Sequence, residues 1–179
     1  MTRIADVLLG LNFNNNGEKD LATGLMAPIR FYELAQRELD YTERMNANLT
    51  MISVGYVLPK STLIWLENAS FSEKDCEFLI SEILELIINV AFKIKQSLRS
   101  NELISRLGVI SFGILIRDGA EEAKSLKFRL NMVLDDHLKE FRKSLLGSAF
   151  EEFAIEVSIL SSVHESGMKL LDFLAKVNL

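Results

Sequence analysis

Residues 28–46 repeat at intervals of three and four. Phe31, Leu34, Ala35, Leu39, Thr42 and Met45 form one stripe, and Glu33, Gln36, Arg37, Asp40 and Arg44 fill the opposite face. That spacing predicts an amphipathic helix. Glu38 is the one break in the stripe, and Asn46-Ala47-Asn48 ends the segment. Over 49–58 the pattern changes to an almost unbroken apolar run, as in a central strand covered on both faces. Pro59, which has no N–H for a ladder, closes it. The stretch 61–66 reads as a second short strand or an extended insertion. Ser72 with Asp75 three residues on has the form of a helix cap. Phe78, Leu79, Ile83, Leu86, Ile87, Val90, Ile94 and Leu98 then keep a helical period to position 99, with an apolar face wide enough to predict burial.

In the second half, 103–106 and 111–116 read as strands joined by a tight turn at Leu107-Gly108-Val109-Ile110, which makes a hairpin. Arg117-Asp118-Gly119 is a turn. Residues 120–141 are helical, with Ala123, Leu126, Leu130, Val133, Leu134, Leu138 and Phe141 inward. A strand over 153–160 and a helix over 167–177 complete the order: helix, strand, long helix, hairpin, helix, strand, helix. Strands interleaved with helices predict an α/β layer with helices against a mixed sheet. Ahead of this lie Ile4, Val7, Leu8 and Leu9 and an Asn-rich loop ending at Gly17. The N-terminal cluster is open between a lead-in helix, a partner contact and an element folded onto the domain. No repeat or linker divides the chain.

Composition adds limits. The 179 residues suit one domain, at roughly 100–200 residues per domain. The net charge of −5 lacks the basic footprint of a nucleic-acid binder. Cys76 is the only cysteine, so no internal disulfide forms, which fits a reducing cytoplasm. It reads as a buried or idle thiol. The N-terminus lacks the form of a signal peptide, and the apolar runs at 83–92 and 108–116 fall short of the ~20 residues that span a bilayer. A soluble chain, or a soluble piece of a larger one, is expected. His137 and His164 have no ligand-like spacing, and His137, in Asp135-Asp136-His137, reads as part of a solvated helix face. No Gly-rich phosphate loop is present.

Several landmarks, taken in order, resemble the GGDEF family of diguanylate cyclases over 20–179. Asp20-Leu21-Ala22-Thr23-Gly24-Leu25 followed by Phe31 is similar to the family's opening Asp-x-Leu-Thr-Gly-Leu, departing at Ala22, Ala27 and Pro28. Ser105-Arg106-Leu107-Gly108-Val109-Ile110-Ser111-Phe112 is similar to its Ala-Arg-Leu-Gly-Gly-Asp-Glu-Phe. Gly108 and Phe112 stand in place, while Val109, Ile110 and Ser111 replace Gly, Asp and Glu. Arg99-Ser100-Asn101-Glu102 sits where the family has its Arg-x-x-Asp product-inhibition motif, with Glu102 for Asp. Residues 153–159 resemble its late Thr-x-Ser-Ile-Gly strand, with Leu160 for Gly, and residues 170–175 its last helix. Residues 59–79 are longer than the family's spacing, which implies an insertion or an altered helix. The expected fold is α/β, a mixed central sheet of about five strands flanked by helices, of the GGDEF and nucleotidyl-cyclase palm kind, with residues 1–19 as a lead-in segment.

The resemblance also implies what is lost. The family activates a GTP hydroxyl with divalent metal held by an Asp at the end of the first strand and an acid in the hairpin turn. Magnesium takes hard carboxylate oxygens, and phosphoryl-type transfer depends on such positioning. Here Ser53-Val54-Gly55-Tyr56-Val57 and Gly108-Val109-Ile110-Ser111-Phe112 offer no carboxylate. The family's guanine-binding Asp falls near Ile83-Leu84 when aligned from Arg99; Asn68 and Asp75 are the alternatives from the other direction. The expectation is therefore no catalytic residue, no metal and no cofactor, in a signalling domain that works through a protein partner or self-association. Two alternatives stand beside it: a cyclic di-GMP or GTP sensor using Arg99 and Glu102, and an active nucleotidyl cyclase. For Arg99 and Glu102 the plain reading is an i,i+3 pair at a helix end.

Overall fold

The computed structural model describes residues 14–178; the apolar cluster expected at 1–10 lies outside them. Helix α1 spans Pro28–Met45. Strand β1, Thr50–Val57, is followed by α2, Lys60–Asn68, and the long α3, Glu73–Ser97. The hairpin is β2, Leu103–Gly108, and β3, Ser111–Ile116. Helix α4, Ala120–Ser144, leads to β4, Glu156–Val163, and α5, Leu170–Ala175. Local chemistry sets these limits. Pro28 opens α1, where its missing N–H costs nothing, and Asn46 ends it in the left-handed region at φ 49. Ser72 caps α3: its hydroxyl accepts from the Asp75 N–H, and the Asp75 carboxylate accepts from the Ser72 N–H. This is a reciprocal capping box.

The sheet order is β2-β3-β1-β4, with each neighbouring pair antiparallel. The expectation of helices flanking a sheet holds, but the sheet has four strands, and it is antiparallel where a mixed one was expected. The reason is topological. β3 inserts between β1 and β2, and β1 between β3 and β4, so the helical crossovers join strands that run parallel without touching. The one parallel pairing among the described residues is an isolated bridge between Met26 and Ser105.

Period-two alternation sends the residues of β1 to two cores. Ile52, Val54 and Tyr56 join Phe112, Ile114 and the inward faces of α3 and α4. Met51 joins Leu115, with Phe31, Ala35 and Leu39 of α1 and Phe173 and Leu174 of α5. Cys76 is buried and free, as expected. Among the described residues, no helix is long and apolar enough to cross a membrane.

Four expectations shift. The short strand or extended insertion at 61–66 is instead α2. Its apolar run is contiguous, but only Thr62, Trp65 and Leu66, at helical spacing, turn inward. The Trp65 ring meets Phe71 at 5.3 Å, and Phe71 stacks on Phe150 at 4.5 Å, so an aromatic cluster anchors the stretch after β1. The last strand begins three residues later than read, because Phe153 and Ile155 are spent in the core before pairing starts. Met45, placed in the α1 stripe, is exposed in the last turn. His137 is only 16% exposed, faces the α3 side and lies 3.2 Å from the Glu140 carboxylate; its neighbours Asp135 and Asp136 hold the solvated face.

Candidate functional site

The hairpin between β2 and β3 turns through Val109 and Ile110, with Gly108 paired to Ser111. Its shape is held from inside by Arg106. The guanidinium is fully buried. Nε donates to Gly108 O at 3.1 Å and to Val109 O at 3.0 Å, and a terminal nitrogen donates to Val109 O at 2.8 Å. Another terminal nitrogen lies 3.4 Å from the Asp20 carboxylate, itself fully buried. Asp20 in turn accepts from the Thr23 N–H at 2.8 Å and the Thr23 hydroxyl at 2.6 Å. Gly24, at φ +66, supplies the left-handed residue that closes this loop. The sequence motifs around Asp20 and Arg106 are thus one structural unit, although they stand 86 residues apart in the chain. A buried charge leaves water only with a partner and hydrogen bonds, and both are provided here.

Next to the hairpin, β1 brings Gly55 directly opposite Ser111; a Cβ on Gly55 would meet the Ser111 Cβ at 3.9 Å. The Tyr56 N–H donates to Ile110 O at 3.2 Å, fastening β1 to the turn. The Tyr56 hydroxyl is buried and has no hydrogen-bond partner among the described residues. Burial, and then the charge of Asp135, push its pKa up, so it stays neutral. Val109 and Ile110 pack on the core cluster. A cavity of ≈ 30 Å³ lies between Ile110, Leu58, Ile83, Leu86, Phe153 and Ile155. Each of those side chains is apolar, so the recess offers an anion no donor and a cation no acceptor.

The donor set does not fit a divalent ion. Magnesium is held through carboxylates with water or phosphate oxygens, whereas the positions that face each other here are a glycine and a neutral serine. Among the described residues, no group of three His, Cys, Asp or Glu could hold a metal.

Arg99 and Glu102 lie at the far end of β2. The i,i+3 side-chain pair read from the sequence does not form. The Glu102 carboxylate accepts from the Arg99 backbone N–H at 2.6 Å, while the Arg99 guanidinium reaches Asp118 at 3.0 Å. The cause is local: the chain turns out of α3 at this point, so Glu102 folds back onto backbone, and Asp118 of the next turn is left to meet the guanidinium. The Arg99 side chain is 70% exposed and that of Asp118 27%. Spacing alone could not reveal this partner, which lies 19 residues away. The hairpin residues Gly108, Val109, Ile110, Ser111 and Phe112 therefore form one site, and Arg99 with Glu102 a second, separate corner.

No protein-family model matches the sequence, and no curated protein sequence matches it. Solved structures do match. The GGDEF domain of DgcB from Caulobacter crescentus, in complex with c-di-GMP, has a TM-score of 0.62 at 13% identity, over 93% of this chain and 89% of that one. Diguanylate cyclase SiaD from Pseudomonas aeruginosa, in complex with its activator SiaC, has a TM-score of 0.61 at 14% identity, over 98% and 60%. The GGDEF domain of FimX from Pseudomonas aeruginosa has a TM-score of 0.60 at 17% identity, over 89% and 88%. Likeness at such identities speaks of architecture, and the architecture of this chain is that of the GGDEF domain.

Proposed function

We propose that this chain is a GGDEF-like signalling domain that does not make cyclic di-GMP and acts by contact with protein. The observation that carries the reading is the Gly55–Ser111 pair beside an apolar turn. Two nucleotide triphosphates need their charge neutralised by metal and donors, and the described residues at this place supply neither carboxylate nor cation. The Arg106 guanidinium is committed to turn carbonyls and Asp20. Support for a protein-binding role comes from one neighbour of like fold, a cyclase in complex with its activator. The lone buried thiol fits a cytoplasmic setting. The test is incubation with GTP and magnesium or manganese, with chromatography of the products. No cyclic di-GMP and no pyrophosphate are expected; turnover by the purified chain overturns the reading.

A second reading, a sensor of cyclic di-GMP or GTP, draws on the exposure of the Arg99 guanidinium, since a guanidinium matches both guanine and phosphate, and on a neighbour that holds c-di-GMP. A nucleotide there must displace Asp118. Calorimetry with each nucleotide, with Arg99→Ala as control, decides; no heat with either retires the sensor.

A further inference from the structure

The two edges of the sheet are built differently. At the β2 edge the register slips between Arg106 and Gly108. There the chain ahead of α1 lies alongside: Met26 bridges to Ser105, whose hydroxyl donates to Met26 O at 2.7 Å. Natural sheets blunt their edges with such bulges and cover, or with Lys and Pro. Among the described residues the β4 edge has none of these. Its eight residues pair with β1 without a register shift. It contains no Lys, Arg or Pro, and its one charge is Glu156 at the first position.

The His164 N–H donates to Leu49 O on the β1 side. Alternation along an antiparallel strand then turns the N–H and C=O groups of Val157, Ile159, Ser161 and Val163 outward. Their N–H groups have no hydrogen-bond partner among the described residues.

We propose that this edge pairs with itself: β4 of one chain lies antiparallel to β4 of a second copy, about a two-fold axis at Leu160. The sequence Val157-Ser158-Ile159-Leu160-Ser161-Ser162-Val163 is nearly symmetric about its centre. In this register Val157 meets Val163 of the second copy, Ser158 meets Ser162, Ile159 meets Ser161, and Leu160 meets Leu160. Outward residues meet outward residues, so four pairs form about eight backbone hydrogen bonds. No like charges face each other: Glu156, the one charge on the strand, falls opposite position 164 of the second copy, whose imidazole is turned into its own fold against Phe173 and the Met168 carbonyl. Such an isologous contact closes on itself as a dimer.

Helix α4 supplies the side-chain part. The Arg142 guanidinium donates to Ile155 O at 3.1 Å, which identifies the flank of α4 that overlooks β4. Phe128, fourteen residues earlier, projects within about 40° of that flank and lies about 21 Å back along the helix. Helix α4 runs against the direction of β4, so at about 3.3 Å per strand residue Phe128 stands level with Ser161, beside the proposed axis. Phe128 is 67% exposed, and the two-fold brings it toward its copy across the joined sheet. The inference deepens the interaction-module reading and rests on it for the kind of contact; oligomer size and GTP turnover are separate readouts, so either can fail alone.

The experiment is size-exclusion chromatography with light scattering on the full chain over a concentration series. The wild type is expected as a dimer. Leu160→Glu sets two carboxylates directly opposite, and Leu160→Lys two ammonium groups; each is expected to raise the dimer dissociation constant at least about tenfold. An equimolar mixture of the two is expected to restore a dimer, because Glu then faces Lys. Phe128→Ser and Ser161→Pro, both at exposed positions, are expected to weaken the dimer with unchanged circular dichroism, and they decide the matter if the Leu160 variants do not fold. A wild type that stays monomeric to about 0.1 mM, charged variants that remain dimeric, or a mixture that stays monomeric overturns the proposal.

Discussion

Arg106 lies within β2 and Arg99 just ahead of it, and their surroundings are opposite. Arg106 is fully buried, donates to two turn carbonyls and faces a buried Asp20. Arg99 stands 70% in solvent, with one carboxylate partner on a neighbouring turn. By charge alone, either suits an anionic ligand. Their environments separate them. A guanidinium whose donors are taken by backbone and a buried carboxylate is part of the scaffold, whereas an exposed one is available but contributes little to the fold. Residues that hold the hairpin in shape are kept where the resemblance predicts them, at Asp20, Thr23, Gly24, Arg106, Gly108 and Phe112. The positions where the resemblance implies chemistry, 109 to 111, hold apolar or neutral side chains.

The sharpest way to break this comparison is to remove Arg106. Arg106→Met leaves the Asp20 carboxylate buried without its cation and frees the Gly108 and Val109 carbonyls. Breaking one side of a buried pair typically costs about 3–5 kcal/mol, and a loss of that size is expected in urea unfolding followed by circular dichroism. Asp20→Asn is expected to be less harmful, and the double variant to lose clearly less than the sum, as for groups in one network. A loss under about 1 kcal/mol for Arg106→Met contradicts a scaffold role for Arg106.

Ile110→Asp tests the other half of the hairpin. It puts an acid in the turn but places it against Leu58, Ile83, Leu86, Phe153 and Ile155. Loss of apolar packing together with a carboxylate facing an apolar recess is expected to cost about 2 kcal/mol, since Ile110 is only half-buried. Thermal shift with magnesium or manganese is expected to show no gain in stability, because Gly55 adds no second ligand. A metal-dependent rise in melting temperature in this variant contradicts the description of the site.

How far these features were legible follows from the range of the interactions. The helices α1, α3 and α4 and the strand β1 were readable because a single face, or two, is buried along a continuous segment, and periodicity reports that directly. Ser72 and Asp75 were readable because a cap is decided within four residues. What failed depends on distant partners. α2 looked extended until Phe71 and Phe150 gave Trp65 a surface to pack on. The all-antiparallel pairing follows from which strand inserts where, and strand order does not follow from hydropathy. The Asp20–Arg106 contact joins residues 86 positions apart. Both motifs were seen, but only the fold shows that one neutralises the other.

The α3 cap is an intermediate case, exposed yet structurally specific. Ser72→Ala is expected to cost about 1 kcal/mol in thermal or urea unfolding, because a backbone N–H loses its acceptor. Hydrogen bonds from the Ser72 side chain and backbone hold the Asp75 carboxyl below the usual carboxylate range. A lowered folded-state pKa means that this stabilisation is present above the ordinary Asp value of about 3.9 and fades as pH falls through the lower, folded value. Ser72→Ala is therefore expected to cost less in strong acid than at neutral pH, and an equal cost at both argues against the reciprocal cap.

The smallest effect is assigned to Arg99. Its ion pair with Asp118 sits in solvent, where Coulomb attraction is screened and ordering a long side chain opposes it; such pairs are worth about 0–1 kcal/mol. Arg99→Ala is expected to change stability by no more than about 0.5 kcal/mol, with the difference vanishing in high salt. Glu102→Gln is expected to be similarly mild, because an amide oxygen can still accept from the Arg99 N–H. If Arg99→Ala instead matched Arg106→Met, exposure would be a poor guide to role in this fold. If it left stability unchanged but abolished a measured nucleotide heat, the exposed corner would be the ligand site and the buried arginine its scaffold, the two roles being assigned by burial rather than by residue type.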